Sequence, residues 1–176
     1  MAIKLSSLFT IVFLLLVLQE TILFSAMADM KFIQDTCKST PNYDLCVKTI
    51  LADPKSQDAD LTNLALIVVN AIKEKGINTI NYVKSLESDR PELKSPLEYC
   101  ANVYNAIVTA DVPEAVTALT QGNPKFAEDG VADCAVESQA CESTFGQYGQ
   151  ASPMTNMNKD MGDLANVARA LIRMLL

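Results

Sequence analysis

From Leu61 onward, apolar positions recur at intervals of three and four residues. Leu61, Leu64, Ala65, Val68 and Ile72 fall on one face of a 3.6-residue period, and Leu97, Cys100, Ala101, Tyr104 and Val108 do the same. The last segment carries the longest stripe, Met157, Met161, Leu164, Ala165, Ala168, Leu171, Ile172 and Leu175. Lys159, Asp160, Asp163, Asn166 and Arg173 are left to face water. No window alternates with period two between hairpin turns, so no sheet is expected. The pattern predicts an all-α chain. Its connections, near residues 53–60, 87–94, 122–123 and 147–152, are short, which makes successive helices neighbours in an up-and-down antiparallel four-helix bundle.

Helix starts are marked by a repeated chemistry. Thr40-Pro41, Ser95-Pro96, Asn123-Pro124 and Ser152-Pro153 each set a capping side chain before a proline, which fits the first helical position because no backbone donor is needed there. Ser95 with Glu98 and Asp111 with Glu114 read as capping boxes, the second marking a restart inside the helix that ends near Gly122. Ahead of the bundle, Cys37 and Cys46 bracket Ser39-Thr40-Pro41-Asn42, a turn between two short helices.

The first residues change the picture of the working protein. Lys4, the apolar run from Ile11 to Leu18, the polar break Gln19-Glu20 and the small-residue site Ala26-Met27-Ala28 read as a secretory signal peptide over residues 1–28. A membrane span needs about 20 apolar residues, which Gln19-Glu20 interrupts, so no stable anchor is expected. Residues 29–176 then form a single domain, with a helical hairpin over 29–56 and the bundle over 57–176.

Removing the leader takes one Lys and one Glu, and the net charge of −7 is unchanged. An acidic chain without a basic stripe gains nothing from a phosphate backbone, so nucleic acid is excluded as a partner. The chain has no histidine, which removes the usual general base of Ser and Cys triads and the usual nitrogen ligand for zinc. No metal, cofactor or catalytic residue is expected. Any pH response between about 4 and 6 falls to carboxylates here or to groups on a partner. The acid pairs Asp58 and Asp60, Glu87 and Asp89, Glu128 and Asp129 read as solvated faces and caps.

Five cysteines follow the leader, so disulfides are the default and one thiol is left over. Cys37 and Cys46 are brought together by their turn. Cys134 and Cys141, seven apart on one helix and about 10 Å along its axis, are too distant to bond each other. Cys100 therefore has a choice between them. Loop-closure entropy gives roughly 3 kcal/mol for the short loop and roughly 4 kcal/mol for the long one.

The segment Gly122-Asn123-Pro124-Lys125-Phe126-Ala127-Glu128-Asp129-Gly130 puts a large ring and a cation on the first turn of a helix, whose N-terminus carries partial positive charge. A lysine is locally unfavourable there. Either Phe126 staples against the bundle and Lys125 is solvated, or the two are reserved for an outside anion and an apolar rim.

The segments Thr36-Cys37-Lys38-Ser39-Thr40-Pro41-Asn42-Tyr43-Asp44-Leu45-Cys46, Leu97-Glu98-Tyr99-Cys100, Pro124 to Gly130, Gln139-Ala140-Cys141-Glu142 and Ile172-Arg173-Met174-Leu175-Leu176 are together similar to the plant invertase and pectin methylesterase inhibitor family. The resemblance runs from about Phe32 to Leu176, and Pro124-Lys125-Phe126 looks like the invertase-inhibitor branch. It implies disulfides Cys37–Cys46 and Cys100–Cys141, Cys134 as the spare thiol, and no catalytic activity. It further implies a 1:1 complex with acid invertase, a glycoside hydrolase that cleaves sucrose, whose cleft Pro124, Lys125 and Phe126 would enter. The alternative on the same scaffold is inhibition of pectin methylesterase. The destination implied is the apoplast or cell wall, with the vacuole as the alternative.

Overall fold

The computed structural model describes residues 29–176 and Leu15. The leader read over residues 1–28 otherwise lies outside the described residues. The first two helices, α1 over residues 29–37 and α2 over Tyr43–Ala52, form a hairpin. The Cys37–Cys46 disulfide closes its turn, with Cα atoms 5.6 Å apart. The expected start at Thr40-Pro41 is displaced. Asn42 caps α2 instead, its side chain accepting from Leu45 N at 3.1 Å, while the Thr40 hydroxyl donates to the Cys37 carbonyl. A side-chain acceptor three residues ahead of an orphan N–H fixes the first turn more directly than a proline does.

Helix α3 runs Leu61–Asp89, about 44 Å at 1.5 Å per residue, and begins where Asp60 accepts from Asn63 N at 2.8 Å. It continues through Glu87 to Asp89, which had been expected in a connection. The stop is Arg90, pushed out of the helical region by the ring of Pro91. A 3-10 turn over Pro91–Leu93 passes directly into α4, Lys94–Ala106, so Ser95 and Pro96 sit inside the first turn and the Ser95–Glu98 capping box does not form.

A π-helical turn over Ile107–Asp111 joins α4 to α5, Val112–Thr120. The restart expected at an Asp111 capping box is therefore a continuous rod: Asp111 has helical φ and ψ and its side chain caps nothing. Pro113 explains the wide turn, since a proline in a helix lacks a donor and crowds the carbonyl four residues back. Helices α6, Pro124–Gln147, and α7, Thr155–Arg173, complete the fold. Ser152 accepts from Met154 N at 3.0 Å in a turn that precedes α7, so the helix begins at Thr155 and not at Pro153.

Four rods, α3, α4–α5, α6 and α7, close a ring in which α3 packs on α4, α5 and α7, and α6 packs on the same three. This is the all-α four-helix bundle with its leading hairpin, which lies on α3 and α7. Leu64, Val68, Ile72, Leu97, Tyr104, Val131, Phe145, Met161 and Leu171 fill the centre, and Ile33, Cys37, Cys46 and Ile50 extend the same core under the hairpin. The α7 stripe is buried from Met161 to Ile172, with Met157 and Leu175 half-buried at its ends. Cys100–Cys141 ties the α4–α5 rod to α6, Cα atoms 4.7 Å apart.

One polar cluster is built into this packing. Glu142 accepts from the hydroxyls of Ser152 and Thr155 at 2.8 and 2.6 Å and from Asn158 Nδ2 at 2.8 Å, while Asn158 Oδ1 accepts from the buried Tyr104 hydroxyl at 2.8 Å. Asn158 is buried on the apolar stripe because both ends of its amide are used. No described helix is long and apolar enough to cross a membrane.

Candidate functional site

Helix α5 ends in a pair of backbone bonds that fix the following turn. Asn123 N donates to the Ala118 carbonyl at 2.8 Å and Gly122 N to the Leu119 carbonyl at 3.2 Å, with Gly122 at φ +73°. This is the Schellman arrangement, and its left-handed residue is one that glycine occupies without strain. Pro124 then opens α6 with its preset φ. Asn123 stands at the cap position, but its side chain makes no capping bond. The turn is set by backbone and ring geometry.

Lys125 and Phe126 project from this fixed start. Phe126 is 61% exposed, so it does not staple to the bundle. The Lys125 side chain is 64% exposed, and its ammonium donates to Asp129 Oδ1 at 3.0 Å and Glu128 Oε2 at 3.1 Å. Asp129 and then Glu128 hold the Lys125 pKa above its ordinary value, so the cation is permanent in water. Pro124 is half-buried beneath them. The tripeptide thus offers a ring and a paired ammonium side by side on a preorganised edge.

Glu128 departs from expectation. It is 4% exposed rather than solvated, and three cations converge on it: Arg173 Nε at 2.6 Å and Arg169 Nε at 3.1 Å on Oε1, Lys125 on Oε2. Arg173, then Lys125 and Arg169, hold its carboxyl down to about 2. The buried face of α6 runs through Ala127, Glu128, Val131 and Cys134, so a carboxylate on that face needs cations from a neighbour. Arg169 and Arg173, four apart near the end of α7, share the face that supplies them.

Behind the tripeptide, α6 passes close to the π turn. A Cβ at Gly130 would lie 2.8 Å from the Asp111 carbonyl oxygen, so only glycine allows this approach. Asp111 Oδ2 is buried with no hydrogen-bond partner among the described residues. Burial, followed by the charges of Asp133, Glu137 and Glu114, pushes the Asp111 carboxyl up to about 6. Cys134 is buried and free, its thiol donating to the Gly130 carbonyl at 3.4 Å, and burial pushes its pKa up, which leaves it an inert thiol.

Comparison with known proteins follows the same lines. Residues 31–171 match the family model described as plant invertase/pectin methylesterase inhibitor. The chain is 43% identical over 139 residues to the cell wall / vacuolar inhibitor of fructosidase 1 of Arabidopsis thaliana, a match covering 79% of this chain and 66% of that protein. It is 32% identical over 163 residues to a putative invertase inhibitor of Platanus orientalis, covering 88% of this chain and 94% of that one. Among solved structures, a pectin methylesterase inhibitor from Arabidopsis in mutant form A superposes with TM-score 0.65 at 19% identity over 80% of this chain and 94% of that chain, a likeness of fold. Family model, relatives and bundle agree: the chain belongs to the plant invertase/pectin methylesterase inhibitor family and is a non-catalytic inhibitor protein.

Proposed function

We propose that this protein inhibits plant acid invertase, a β-fructofuranosidase, by seating Pro124, Lys125 and Phe126 in the sucrose-binding cleft of the enzyme in a 1:1 complex. The observation that carries the reading is the exposure of Phe126, 61%, beside a permanent cation on a turn fixed before binding. A retaining glycosidase cleft holds paired carboxylates about 5 Å apart, a concentration of negative charge that an ammonium can enter. The bond of Lys125 to Asp129 joins two exposed side chains and is worth little in water, and Glu128, its other acceptor, keeps Arg169 and Arg173 when Lys125 leaves, so the ammonium is free to exchange partners in a desolvated site. Phe126 covers apolar rim where a sugar ring would stack, and the preset backbone lowers the ordering cost of association. The names of the relatives support the cell wall or the vacuole as the place of action.

The test is inhibition of sucrose hydrolysis by the wild type, Lys125→Ala and Phe126→Ala. Truncating a central anchor costs about 2 kcal/mol or more, so Phe126→Ala should weaken inhibition about 30-fold or more, and Lys125→Ala by roughly 10- to 100-fold. Constants within twofold of wild type for both variants would remove the tripeptide as anchor. A wild-type protein that blocks pectin demethylation and leaves sucrose hydrolysis untouched would transfer the activity to pectin methylesterase.

A further inference from the structure

We propose that the partner-binding face extends from the tripeptide onto α7, where the guanidinium groups of Arg169 and Arg173 bind carboxylates on the rim of the enzyme's acidic cleft. This rests on the reading of Lys125 and Phe126 as the cleft-entering pair.

Arg169 and Arg173 stand one turn apart on α7, and each uses only its inner Nε on Glu128, at 3.1 and 2.6 Å. The terminal nitrogens of both guanidinium groups have no hydrogen bond among the described residues, and the side chains are 39% and 55% exposed. Anchoring through Nε leaves the two terminal nitrogens of each fork, a pair that can take a carboxylate bidentately, free for a partner. The pair also lines an open concavity of about 520 Å³ between the hairpin turn and α7. Ser39, Pro41, Asn166, Arg169, Arg173 and Met174 line it, and no acidic residue does.

The charge balance points the same way. Lys125, Arg169 and Arg173 face Glu128 and Asp129, three cations against two carboxylates, so this corner is locally positive on a chain of net charge −7. Glu128 needs fewer than three cations to be neutralised. When Lys125 leaves it for the cleft, the two arginines keep the buried carboxylate paired, so no isolated charge is created on binding. Because all three cations meet at one carboxylate, the arginines flank the tripeptide, and an acidic rim that admits Lys125 comes up against them. A protein carboxylate is favoured over an acidic polysaccharide by this continuity.

The experiment measures inhibition of sucrose hydrolysis, and association rates, for wild type, Arg169→Gln, Arg173→Gln and the double variant. Each set is made with Glu128 and again with Glu128→Gln, at about 50 and 200 mM salt, spanning a change in screening length from beyond 10 Å to below it. The double variant should weaken inhibition about 10- to 30-fold at low salt, chiefly through slower association, with a flatter salt dependence than wild type. The Glu128→Gln background removes the buried charge the arginines also neutralise, so its arginine-free form keeps the fold testable by thermal unfolding. There the loss on removing both arginines should persist at about 10-fold. Equal inhibition with and without the arginines in that background would overturn the proposal, reducing them to counter-ions of Glu128. Loss of polygalacturonate binding with unchanged invertase inhibition would overturn it too, moving the site to an acidic polysaccharide. If Lys125 and Phe126 matter and the arginines do not, this inference alone fails. If the wild type does not inhibit invertase, the cleft reading falls and this falls with it.

Discussion

Helix α6 carries a bonded carboxylate near each end, and both bridge to α7, yet the two are held by opposite chemistries. Glu128, near the start, is held by three cations, Lys125, Arg169 and Arg173. Glu142, near the end, is held by two hydroxyls and an amide, from Ser152, Thr155 and Asn158. Burial alone would raise Glu142, but the donors of Thr155, Asn158 and Ser152 outweigh it and leave the carboxyl below its ordinary value. Neutral donors lock a loop to a core and leave no charge to spare. Cationic donors also hold a carboxylate below its ordinary value and leave ammonium and guanidinium groups at the surface, available to something else. One end of α6 keeps the fold; the other is the end we propose meets a partner.

The largest effect should appear at the structural end. Asn158→Ala removes a buried hydrogen bond and a part-buried one to a charged group, and strands the Tyr104 hydroxyl, a loss of about 3 kcal/mol. For a chain of this size that lowers Tm by roughly 6–12 °C, measured by calorimetry, while inhibition per folded molecule stays at wild type. A matching fall in inhibition would erase the distinction between the ends.

The second effect concerns the π turn behind the tripeptide. Asp111 is raised from 3.8 to about 6, so the native state holds a proton that the unfolded chain has already released between those values. Its contribution is fully present below about 3.8 and is lost as pH rises through 6. Asp111→Asn should flatten this fall and leave the variant more stable than wild type at pH 7 by about 1–2 kcal/mol, a figure reduced for partial exposure. Urea unfolding at pH 4, 5, 6 and 7 checks it; parallel wild-type and variant curves would show that the carboxylate is relieved by solvent. In a chain without histidine, this carboxyl, with Glu137 raised beside it by burial and by Asp133, is placed to respond in that range.

The smallest effect sharpens the comparison from the acid side. Glu128 is lowered from 4.5 to about 2, so its contribution is present above 4.5 and is lost as pH falls through 2. Acid unfolding followed by circular dichroism from pH 5 to 2 should be less steep for Glu128→Gln than for wild type. Identical acid limbs would mean that the three cations hold nothing.

The bundle was readable because helix period, short connections and cysteine positions all state local facts, and a helix repeats its message every turn. The α7 stripe from Met161 to Ile172 is buried as its spacing predicts. Starts were harder. Proline after a capping residue marks the beginning at Pro124, but at Pro96 the helix has already started two residues earlier, and at Pro41 and Pro153 it starts two residues later. A cap is a competition among nearby acceptors, and a single dipeptide does not report the competitors. The exposed tripeptide was legible as an oddity of placement. The cluster around Glu128 was not, since it joins residues more than 40 positions apart whose proximity exists only after α6 and α7 pack.

The turn at Gly122 has a consequence for how such a scaffold diversifies. Its geometry comes from two backbone bonds, a left-handed glycine and a proline ring, with no side chain of residues 125 or 126 taking part. The turn therefore does not depend on the residues it displays: Phe126 is exposed, and Glu128, which Lys125 pairs with, is also held by Arg169 and Arg173. A different pair of side chains could be written onto the same edge without rebuilding the turn, so what this edge displays can drift while the backbone beneath it is kept.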